Sequence, residues 1–307
     1  MLKVQVPATT ANLGPGYDAL GMALNIYNTV TVESSPRFSV TVNGEGAGNL
    51  PEDESNLVIQ AAQLVFKKAG YHPGELSWVQ NNSIPLESGM GSSAAAIVAG
   101  LTAANALLPQ SFSREEIFYM AATMEKHPDN VSPAIFGGLT VAFETEEGFR
   151  FLRVGTPAGL YLALAVPDIY LSTEDSRRVL PEKVSREDAV FNVGRTAALL
   201  TALMKEEGEH LFWACQDRLH QPHRLPLLPG AERAMKAAIE AGAQGCALSG
   251  AGPGVIALWL EKEKGAPFSL HYYQIASAME KAFLAEGVSC RVFSAQPDPQ
   301  GVFVYKE

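Results

Sequence analysis

Three short stretches of the chain combine glycines with polar side chains in a way that suits binding of a phosphorylated ligand. The stretch PLESGMGSSAAA, residues 85–96, places two glycines and two serines directly before an alanine-rich helix. Backbone N–H groups in such a turn, together with the positive end of the helix dipole, make an anion site. The turn lacks the lysine of the GxxxxGK[ST] phosphate loop. A second interpretation stays open, in which Ser92 or Ser93 caps the helix and the glycines only shape the turn.

A second polar cluster lies in MEKHPDNVSPAIFGG. Four side chains that can bind or transfer protons fall there within six residues: Glu125, His127, Asp129 and Asn130. Burying so many polar groups beside an apolar run is costly unless they serve a purpose. Taken alone, the cluster is equally well explained by a hydrogen-bonded histidine and an Asp-Asn turn or cap.

The third stretch, PATTANLGPGYDALG, places Asn12 and Asp18 around a Gly-Pro-Gly bend at the end of a strand. Each of the three stretches has an ordinary structural explanation. Their occurrence together in one chain favours a binding site to which all three contribute.

Composition excludes several other classes of protein. The chain has 307 residues, of which 47% are hydrophobic and 18% charged, as in a soluble globular protein with a core. The formal net charge of -10 argues against a nucleic-acid surface, and no apolar run is long enough to cross a membrane. Three cysteines without a CxxC pair argue against zinc and disulfides. The N-terminus does not read as a signal peptide, so we expect a cytoplasmic protein.

The elements that must position these residues alternate between strands and helices. In the first half, strands are predicted in KVQVPA, NTVTVES and ELSWVQNNSI, with a hairpin in GGLTVAFET and FRFLRV. Helices are predicted in ESNLVIQAAQLVFKKAG, over 94–108, and in SREEIFYMAATMEK, where Ser113 and Glu116 form a capping-box pattern. The strand FSVTVNGEG fits either the edge or the interior of a sheet.

In the second half, GLYLALAVP and SCRVFSAQ are predicted strands, and CALSGAGPGVIALWL is a predicted pair of strands joined by a glycine-rich turn. Helices are predicted over 186–205 and 231–241 and in SLHYYQIASAMEKAFLAEG. A boundary is predicted near Gly155, where Pro and Gly interrupt two apolar runs. The chain therefore divides into 1–155 and 156–307, the latter with ferredoxin-like α+β packing.

Three motifs resemble those of the GHMP kinases, small-molecule kinases named for galactose, homoserine, mevalonate and phosphomevalonate: PATTANLGPGYDALG, PLESGMGSSAAA and CALSGAGPG. Within that family the similarity is greatest to the members that act on homoserine, because EKHPDNVSPAIFGG resembles their EGHPDNVAPALLGG segment. LSTEDSRRVLP and DRLHQPHRLPLLPG are also similar to stretches of those members. The resemblance runs from Pro7 to Gly254.

The resemblance implies an α+β, two-domain GHMP kinase fold. The N-terminal domain, 1–155, would be a ribosomal-protein-like β-α-β domain that binds ATP, and the C-terminal domain, 156–307, would be ferredoxin-like. The implied reaction is ATP- and Mg²⁺-dependent phosphorylation of the side-chain hydroxyl of L-homoserine to O-phospho-L-homoserine, on the route to threonine. A homodimer that binds neither nucleic acid nor membrane is also implied.

The resemblance assigns residues to ATP in two groups, Asn56, Leu57 and Val58 for adenosine, and a phosphate-binding loop of Pro85, Leu86, Glu87, Ser88, Gly89, Met90, Gly91, Ser92 and Ser93. Ser92 and Glu125 would hold Mg²⁺, which prefers oxygen ligands and keeps several waters. The implied substrate residues are Asn12, Asp18, His127, Asn130, Thr173, Arg177 and Arg224.

The substrate's functional groups match these residue types. A carboxylate calls for the planar fork of arginine, supplied by Arg177 and Arg224, although Arg178 and Arg218 compete with them in the sequence. Asn12 and Asp18 would accept the ammonium. Asn130 would lie near the reacting hydroxyl, where mevalonate kinases carry Asp. Since an amide cannot act as a base, we expect positioning and electrostatics to carry the transfer without a dedicated base.

Two other functions stay open. One is a GHMP kinase that acts on mevalonate or a sugar, against which Asn130 and the arginine motifs argue. The other is a nucleotide-binding relative that has lost catalysis, against which Ser92, Glu125 and the intact glycine turn argue.

Overall fold

The structure is a computed structural model that describes residues 1–261 and 269–306, without the side chains of Thr173, Ser269, Leu270 and Lys306. The strands it describes are β1 Leu2–Asn12, β2 Gly16–Ser34, β3 Ser39–Gly44, β4 Leu76–Asn82, β5 Leu139–Thr145, β6 Gly148–Val154, β7 Leu160–Pro167, β8 Gly245–Leu248, β9 Val255–Leu260, β10 Cys290–Ala295 and β11 Phe303–Lys306. The α-helices are α1 Leu57–Ala69, α2 Ser92–Leu107, α3 Arg114–Glu125, α4 Pro128–Phe136, α5 Thr173–Arg178, α6 Arg186–Lys205, α7 Leu211–Ala214, α8 Gln221–Arg224, α9 Ala231–Glu240 and α10 Ser269–Leu284.

The first sheet has the strand order β11-β1-β2-β4-β3, with β5 paired to β2 and β6 paired to β5. The 19-residue β2 is long enough to pair with β1, β4 and β5 along different parts of its length. β3 and β4 are parallel, and α1 connects them. β3, which contains most of FSVTVNGEG, lies at an edge of this sheet.

The second sheet is antiparallel, with the order β10-β7-β9-β8. Its strands, connected by α5–α9 and by α10, follow the β-α-β-β-α-β order of a ferredoxin-like unit. The ferredoxin-like packing expected for the second half is therefore observed. β11 returns to the first sheet and pairs with β1. The division at 155/156 falls between β6 and β7, and as a domain boundary it stays a prediction.

Helix α2 lies in the core beneath the loop at residues 85–91. It is apolar on nearly all sides, and Gly100 brings it so close to α1 that a Cβ there would overlap the Val58 carbonyl. α2 also packs against β1, where its N-cap Gly91 lies against Thr9. No helix in the described part of the chain is long and apolar enough to cross a membrane.

The predicted helices are found with small shifts at their ends. Ser113 and Glu116 form the predicted capping box at α3, and α6 has the predicted bounds. α2 begins at Ser92 and not at Ala94, because Gly91, at φ +66°, ends the loop and both serines enter the helix.

The pattern missed α4, which carries Asp129 and Asn130 in its first turn. Pro128 at the first helical position and Gly137 after the last one are the signals that would have indicated it. The alternative interpretation of Asp129 and Asn130 as an ordinary turn or cap is therefore wrong, because both lie inside α4 and its N-cap is His127.

Candidate active site

A cleft of about 240 Å³ brings the sequence motifs together. Its lining comes from β1, the start of β2, the 85–91 loop, α2, the α3–α4 junction, the segment around α5, α8 and the β8–β9 turn. Most of the predicted site residues line it: Asn12, Asp18, Glu87, Ser88, Gly89, Met90, Gly91, Ser92, Ser93, Glu125, His127, Asn130, Arg177 and Arg224. The unpredicted lining residues are Ala11, Asp129, Leu171, Ser172, Gly250, Ala251 and Gly252.

The first turn of α2 opens onto the cleft. Its N-cap is Gly91, and no side chain caps it, so the interpretation of Ser92 or Ser93 as the cap is wrong. Both serines instead lie in the first helical turn. Since the first N–H groups of a helix have no partner within the helix, they are available to an anion in the cleft.

The 85–91 loop rests on the β8–β9 turn. A Cβ on Gly89, which has φ +76°, would overlap the Ser249 carbonyl, so only glycine allows this approach. The Ser249 hydroxyl donates to the Gly89 carbonyl at 2.7 Å and contacts Thr10 Oγ1 at 2.9 Å. The Gly254 N–H donates to the Ser88 carbonyl at 3.2 Å. The CALSGAGPG motif thus packs against the PLESGMGSSAAA loop and supports it.

Arg177 is paired with Asp18 in a two-pronged ion pair. Its Nη2 lies 2.8 Å from Asp18 Oδ1 and its Nη1 lies 3.1 Å from Oδ2. The same guanidinium donates to the Tyr17 hydroxyl at 2.8 Å and to His127 Nδ1 at 3.1 Å. Because arginine only donates, Nδ1 of His127 is the unprotonated nitrogen. Burial and Arg177 lower the pKa of His127, which favours this neutral form.

Arg224 is buried, with 1% of its surface exposed, and its hydrogen-bond partners are neutral. Nη1 donates to His220 Nδ1 at 3.0 Å and to the Gly250 carbonyl at 3.3 Å, and Nε donates to the Ser176 carbonyl at 3.2 Å. His220 Nε2 donates to the Gly14 carbonyl at 2.8 Å, so Nδ1 is free to accept. Among the described residues, Arg224 has no carboxylate within ion-pair distance.

Asn12 joins two walls of the cleft. Its Nδ2 donates to the Gly250 carbonyl at 2.7 Å, and its Oδ1 accepts from the Asp18 N–H at 2.9 Å. Asn12, Leu13 and Asp18 all have positive φ, which is costly for residues other than glycine. Such strain is commonly found where a backbone must present a functional side chain.

The α3–α4 junction contributes two carboxyl groups in different settings. Glu125 accepts from the Ser93 hydroxyl at 2.8 Å, and burial raises its pKa. Asp129 is almost fully buried, and its Oδ1 accepts from the Asn130 N–H at 2.9 Å. Burial, reinforced by the charge of Asp18, raises the pKa of Asp129 to about 7.

Some predicted residues lie away from the cleft lining. Asn56 is the N-cap of α1, where Oδ1 accepts from the Val58 N–H at 3.0 Å, and Val58 is buried against α2. Leu57 is the first residue of α1. Pro85 accepts from the Ser88 hydroxyl, and Leu86 lines a neighbouring cleft. The side chain of Thr173 is outside the described residues.

The structure separates the two predicted arginines from their competitors. Arg178 pairs with Glu174 and Asp175 on the surface, and Arg218 pairs with Glu187 and Asp188. Neither Arg178 nor Arg218 lines the cleft.

Sequence reasoning missed the residues that support Arg224. His220 lies one helical turn before Arg224, a spacing that signals contact between the two side chains on a helix. Asp217 accepts from the backbone N–H groups of Leu219, His220 and Gln221 at 2.7–3.0 Å. An aspartate just before a short helix is the sequence signal for such a cap.

Family models of known proteins match both halves of the chain. The model described as GHMP kinases N terminal domain matches residues 56–138, and the model described as GHMP kinases C terminal matches residues 197–267. A homoserine kinase of Moorella thermoacetica is 43% identical, over 98% of this chain and 99% of that protein. A homoserine kinase of Desulfitobacterium hafniense is 42% identical, over 99% of this chain and all of that protein.

A solved structure agrees with these matches. The crystal structure of homoserine kinase from Cytophaga hutchinsonii superposes with a TM-score of 0.87 at 30% identity, covering 99% of this chain and 97% of that one. The chain therefore belongs to the GHMP kinase family of small-molecule kinases, and it has the predicted two-domain fold. Within that family, these full-length relatives are homoserine kinases.

The buried carboxyl of Asp129 predicts a pH-dependent stability. The folded protein keeps a proton on Asp129 up to about pH 7, whereas an unfolded chain releases it near the usual pKa of 3.8. Between these values the folded state binds more protons, so the free energy of unfolding falls as pH rises. The asparagine of the Asp129→Asn variant cannot ionise. In this variant we expect the free energy of unfolding to lose its decline between pH 4 and pH 8, which is of the order of a few kcal/mol.

Urea denaturation across this pH range measures the effect. The control is Asp53→Asn, at an exposed carboxyl whose pKa is lowered by hydrogen bonds from Ser55, so this change should leave the decline in place. An unchanged pH profile in Asp129→Asn would show that another group is responsible.

Proposed function

We propose that this chain is an ATP-dependent kinase that phosphorylates the side-chain hydroxyl of L-homoserine, forming O-phospho-L-homoserine and ADP in threonine biosynthesis. The observation that carries the proposal is a buried guanidinium without a carboxylate partner, Arg224, which faces the same cleft as an uncapped helix N-terminus. The names of the full-length relatives support the same substrate.

The charge of Arg224 calls for an anionic ligand. A buried charge is costly unless it is paired, and the partners of Arg224 are two carbonyls and a neutral imidazole. A substrate carboxylate would supply the missing negative charge through the planar fork of the guanidinium. Arg177 is already paired with Asp18, so it would join the carboxylate only by sharing its donors.

The other end of the substrate would be recognised by acceptors. Asp18 and Asn12 lie next to each other in the cleft and present carboxylate and amide oxygens, which suit an ammonium group. His127 lies between Arg177 and the first turn of α4, and Asn130 follows it. We assign these four residues, with Arg177, Arg224 and Thr173, to substrate binding.

The loop at residues 85–93 would bind the phosphates of ATP. Its glycines allow close backbone approach, and the first turn of α2 directs N–H groups and a positive dipole end into the cleft. Asn56, Leu57 and Val58 remain the proposed adenosine contacts on the resemblance to the family alone, since the start of α1 packs on α2 at Gly100 and does not line the cleft.

Ser92 and Glu125 are suited to Mg²⁺. Both line the cleft beside the loop, and they offer a hydroxyl and one carboxylate. Within the described residues there is no cluster of three or more His, Cys, Asp or Glu side chains that could hold a metal ion. Few protein ligands, with waters and phosphate oxygens completing the shell, are typical of Mg²⁺. When bound, the ion would neutralise charge on the transferring phosphoryl group.

The transfer itself needs little from the protein beyond position. The side-chain hydroxyl oxygen of homoserine forms a bond to the γ-phosphorus, the bond to the bridging oxygen of ADP breaks, and the hydroxyl proton passes to a phosphate oxygen or water. Asn130 holds the hydroxyl and cannot accept its proton. A loose transition state requires little early proton removal, so we propose transfer without a dedicated base.

ADP release measured with ATP, Mg²⁺ and a panel of acceptors tests the reaction. Turnover is expected largely with L-homoserine, and little with L-serine, L-threonine, mevalonate or galactose. Turnover mainly with mevalonate or galactose would overturn the roles of Asn130, Arg177 and Arg224. ATP binding without turnover on any acceptor would favour a non-catalytic relative.

Arg224→Lys tests the carboxylate site. Lysine keeps the charge but loses the two-pronged fork, so KM for L-homoserine should rise about 10- to 100-fold while KM for ATP changes less than about threefold. Arg218→Lys is the matched control, because Arg218 pairs with Glu187 and Asp188 on the surface. An equal rise in both KM values in Arg224→Lys, with circular dichroism showing intact folding, would contradict the assignment.

We also propose that the enzyme works as a homodimer in the cytoplasm. The three scattered cysteines, without a CxxC pair, support a reducing compartment. The outer face of α6 carries Val190, Val193 and Met204, which are 66%, 71% and 65% exposed, and Ala197 and Leu200 continue the same 3-4 spacing. A helix face of this kind normally packs against a partner helix.

A second copy of the chain fits this face. From 189 to 204 the only charged residue of α6 is Arg195, which lies against the ring of Phe191 and off the apolar stripe. The first turn of α6 is acidic and its last turn contains Lys205. Antiparallel pairing of two copies across a twofold axis would place Lys205 near the partner's acidic turn, while the apolar stripes meet.

Light scattering after size exclusion should show a dimer that Val193→Glu converts to a monomer, because a buried unpaired charge disfavours the contact. Leu152→Glu is the control, at a similarly exposed apolar side chain on β6, and it should remain dimeric. A dimeric Val193→Glu protein would place the contact elsewhere, and a monomeric wild-type protein would refute the dimer.

A further inference from the structure

Thr9 connects β1 to two other parts of the cleft. Its side chain is fully buried, and Oγ1 donates to Asn130 Oδ1 at 2.8 Å. Its backbone N–H donates to the Met90 carbonyl at 3.1 Å. One residue of the first motif therefore contacts both the proposed phosphate loop and the first turn of α4.

Gly91 packs against the hydrogen bond between Thr9 and Asn130. A Cβ on Gly91 would overlap Thr9 Oγ1 and lie 3.1 Å from Asn130 Oδ1. The bare α-carbon of Gly91 therefore packs directly on the hydrogen bond between Thr9 and Asn130. Gly91 therefore shields one side of this partly buried hydrogen bond from water, which strengthens its restraint on the amide.

The contacts of Asn130 define which way its amide points. Oδ1 is taken by the Thr9 hydroxyl, and Nδ2 lies 3.4 Å from Asp129 Oδ1, which already accepts from the Asn130 N–H. If the side-chain amide of Asn130 were turned around, its Oδ1 would face Asp129 Oδ1, and both of these oxygens are acceptors. Asn130 also lines the cleft, so the donor capacity that remains on Nδ2 is available to a ligand there.

We propose that Thr9 is a positioning residue for phosphoryl transfer: it fixes the amide of Asn130 so that Nδ2 donates to the hydroxyl oxygen of the substrate. This inference rests on the proposed function. The donated hydrogen bond occupies one lone pair of the hydroxyl oxygen and leaves another for the γ-phosphorus. The hydroxyl proton stays on the side away from Asn130, in keeping with transfer without a protein base.

Thr9→Val and Thr9→Ser test the role of the hydroxyl. Valine keeps the branched shape but cannot donate, so kcat should fall about 10- to 100-fold while KM for ATP changes less than about threefold. Serine keeps the donor and should restore kcat to within about threefold of wild type. Thr140→Val is the matched control, since Thr140 is also fully buried and hydrogen-bonded, to Ser132 and the Gly21 carbonyl, away from the cleft. It should reduce thermal stability without lowering kcat.

A double-mutant cycle separates positioning from a general structural effect. If Thr9 acts through Asn130, adding Thr9→Val to Asn130→Ala should change kcat by less than about twofold. Additive losses in the double variant, or wild-type kcat in Thr9→Val, would overturn the inference while leaving a homoserine kinase. Absence of homoserine phosphorylation by the wild-type protein would instead overturn the proposed function itself, so the two failures are distinguishable.

Discussion

The buried charge of Arg224 is the constraint around which the cleft is organised. Its guanidinium is held by His220, whose other ring nitrogen is committed to the Gly14 carbonyl. Burial lowers the pKa of His220, and a neutral ring is what allows Nδ1 to accept from Arg224. Asp217 fixes the backbone of His220, and it also accepts from Asn192 on α6 at 2.7 Å. Residues of the second half of the chain thus hold the Arg224 guanidinium in place, and His220 connects it to Gly14 in the turn between β1 and β2.

The walls of the cleft meet through close backbone approaches as well as through side chains. A Cβ on Gly21 would overlap the Asp129 carbonyl, one on Gly89 the Ser249 carbonyl, and one on Gly91 the Thr9 hydroxyl. Each approach joins two motifs that are distant in the sequence. Asn12 does the same with its amide, which connects the Asp18 backbone to the β8–β9 turn. The positions of the reactive groups therefore depend on contacts that no single motif contains.

This dependence explains what could be predicted from the sequence. Local signals were sufficient for the capping box at Ser113, for the bounds of α6 and for the glycine loop before α2, because neighbours in the chain determine them. Asp18, His127 and Arg224, which the motif resemblance assigned to one site, line one cleft, while their roles stay a prediction. The roles of His220 and Thr9 could not be predicted, since each depends on a partner from another part of the fold. Burial of Asp129, and hence its raised pKa, also follows only from tertiary packing.

The charges of the described cleft also bear on the choice among small-molecule substrates. Asp18 and Arg177 form an ion pair, and Asp129 keeps its proton up to about pH 7, whereas Arg224 is buried with no carboxylate of the described residues within ion-pair distance. A sugar would bring no negative charge to Arg224. Mevalonate would bring a carboxylate but no cation for Asp18. An amino acid zwitterion brings both a carboxylate and an ammonium group. Its ammonium can bind Asp18 while its carboxylate binds Arg177 and Arg224, so each charge of the Arg177–Asp18 ion pair keeps an opposite charge beside it. The arrangement of charge therefore favours an amino acid over the other acceptors of this family.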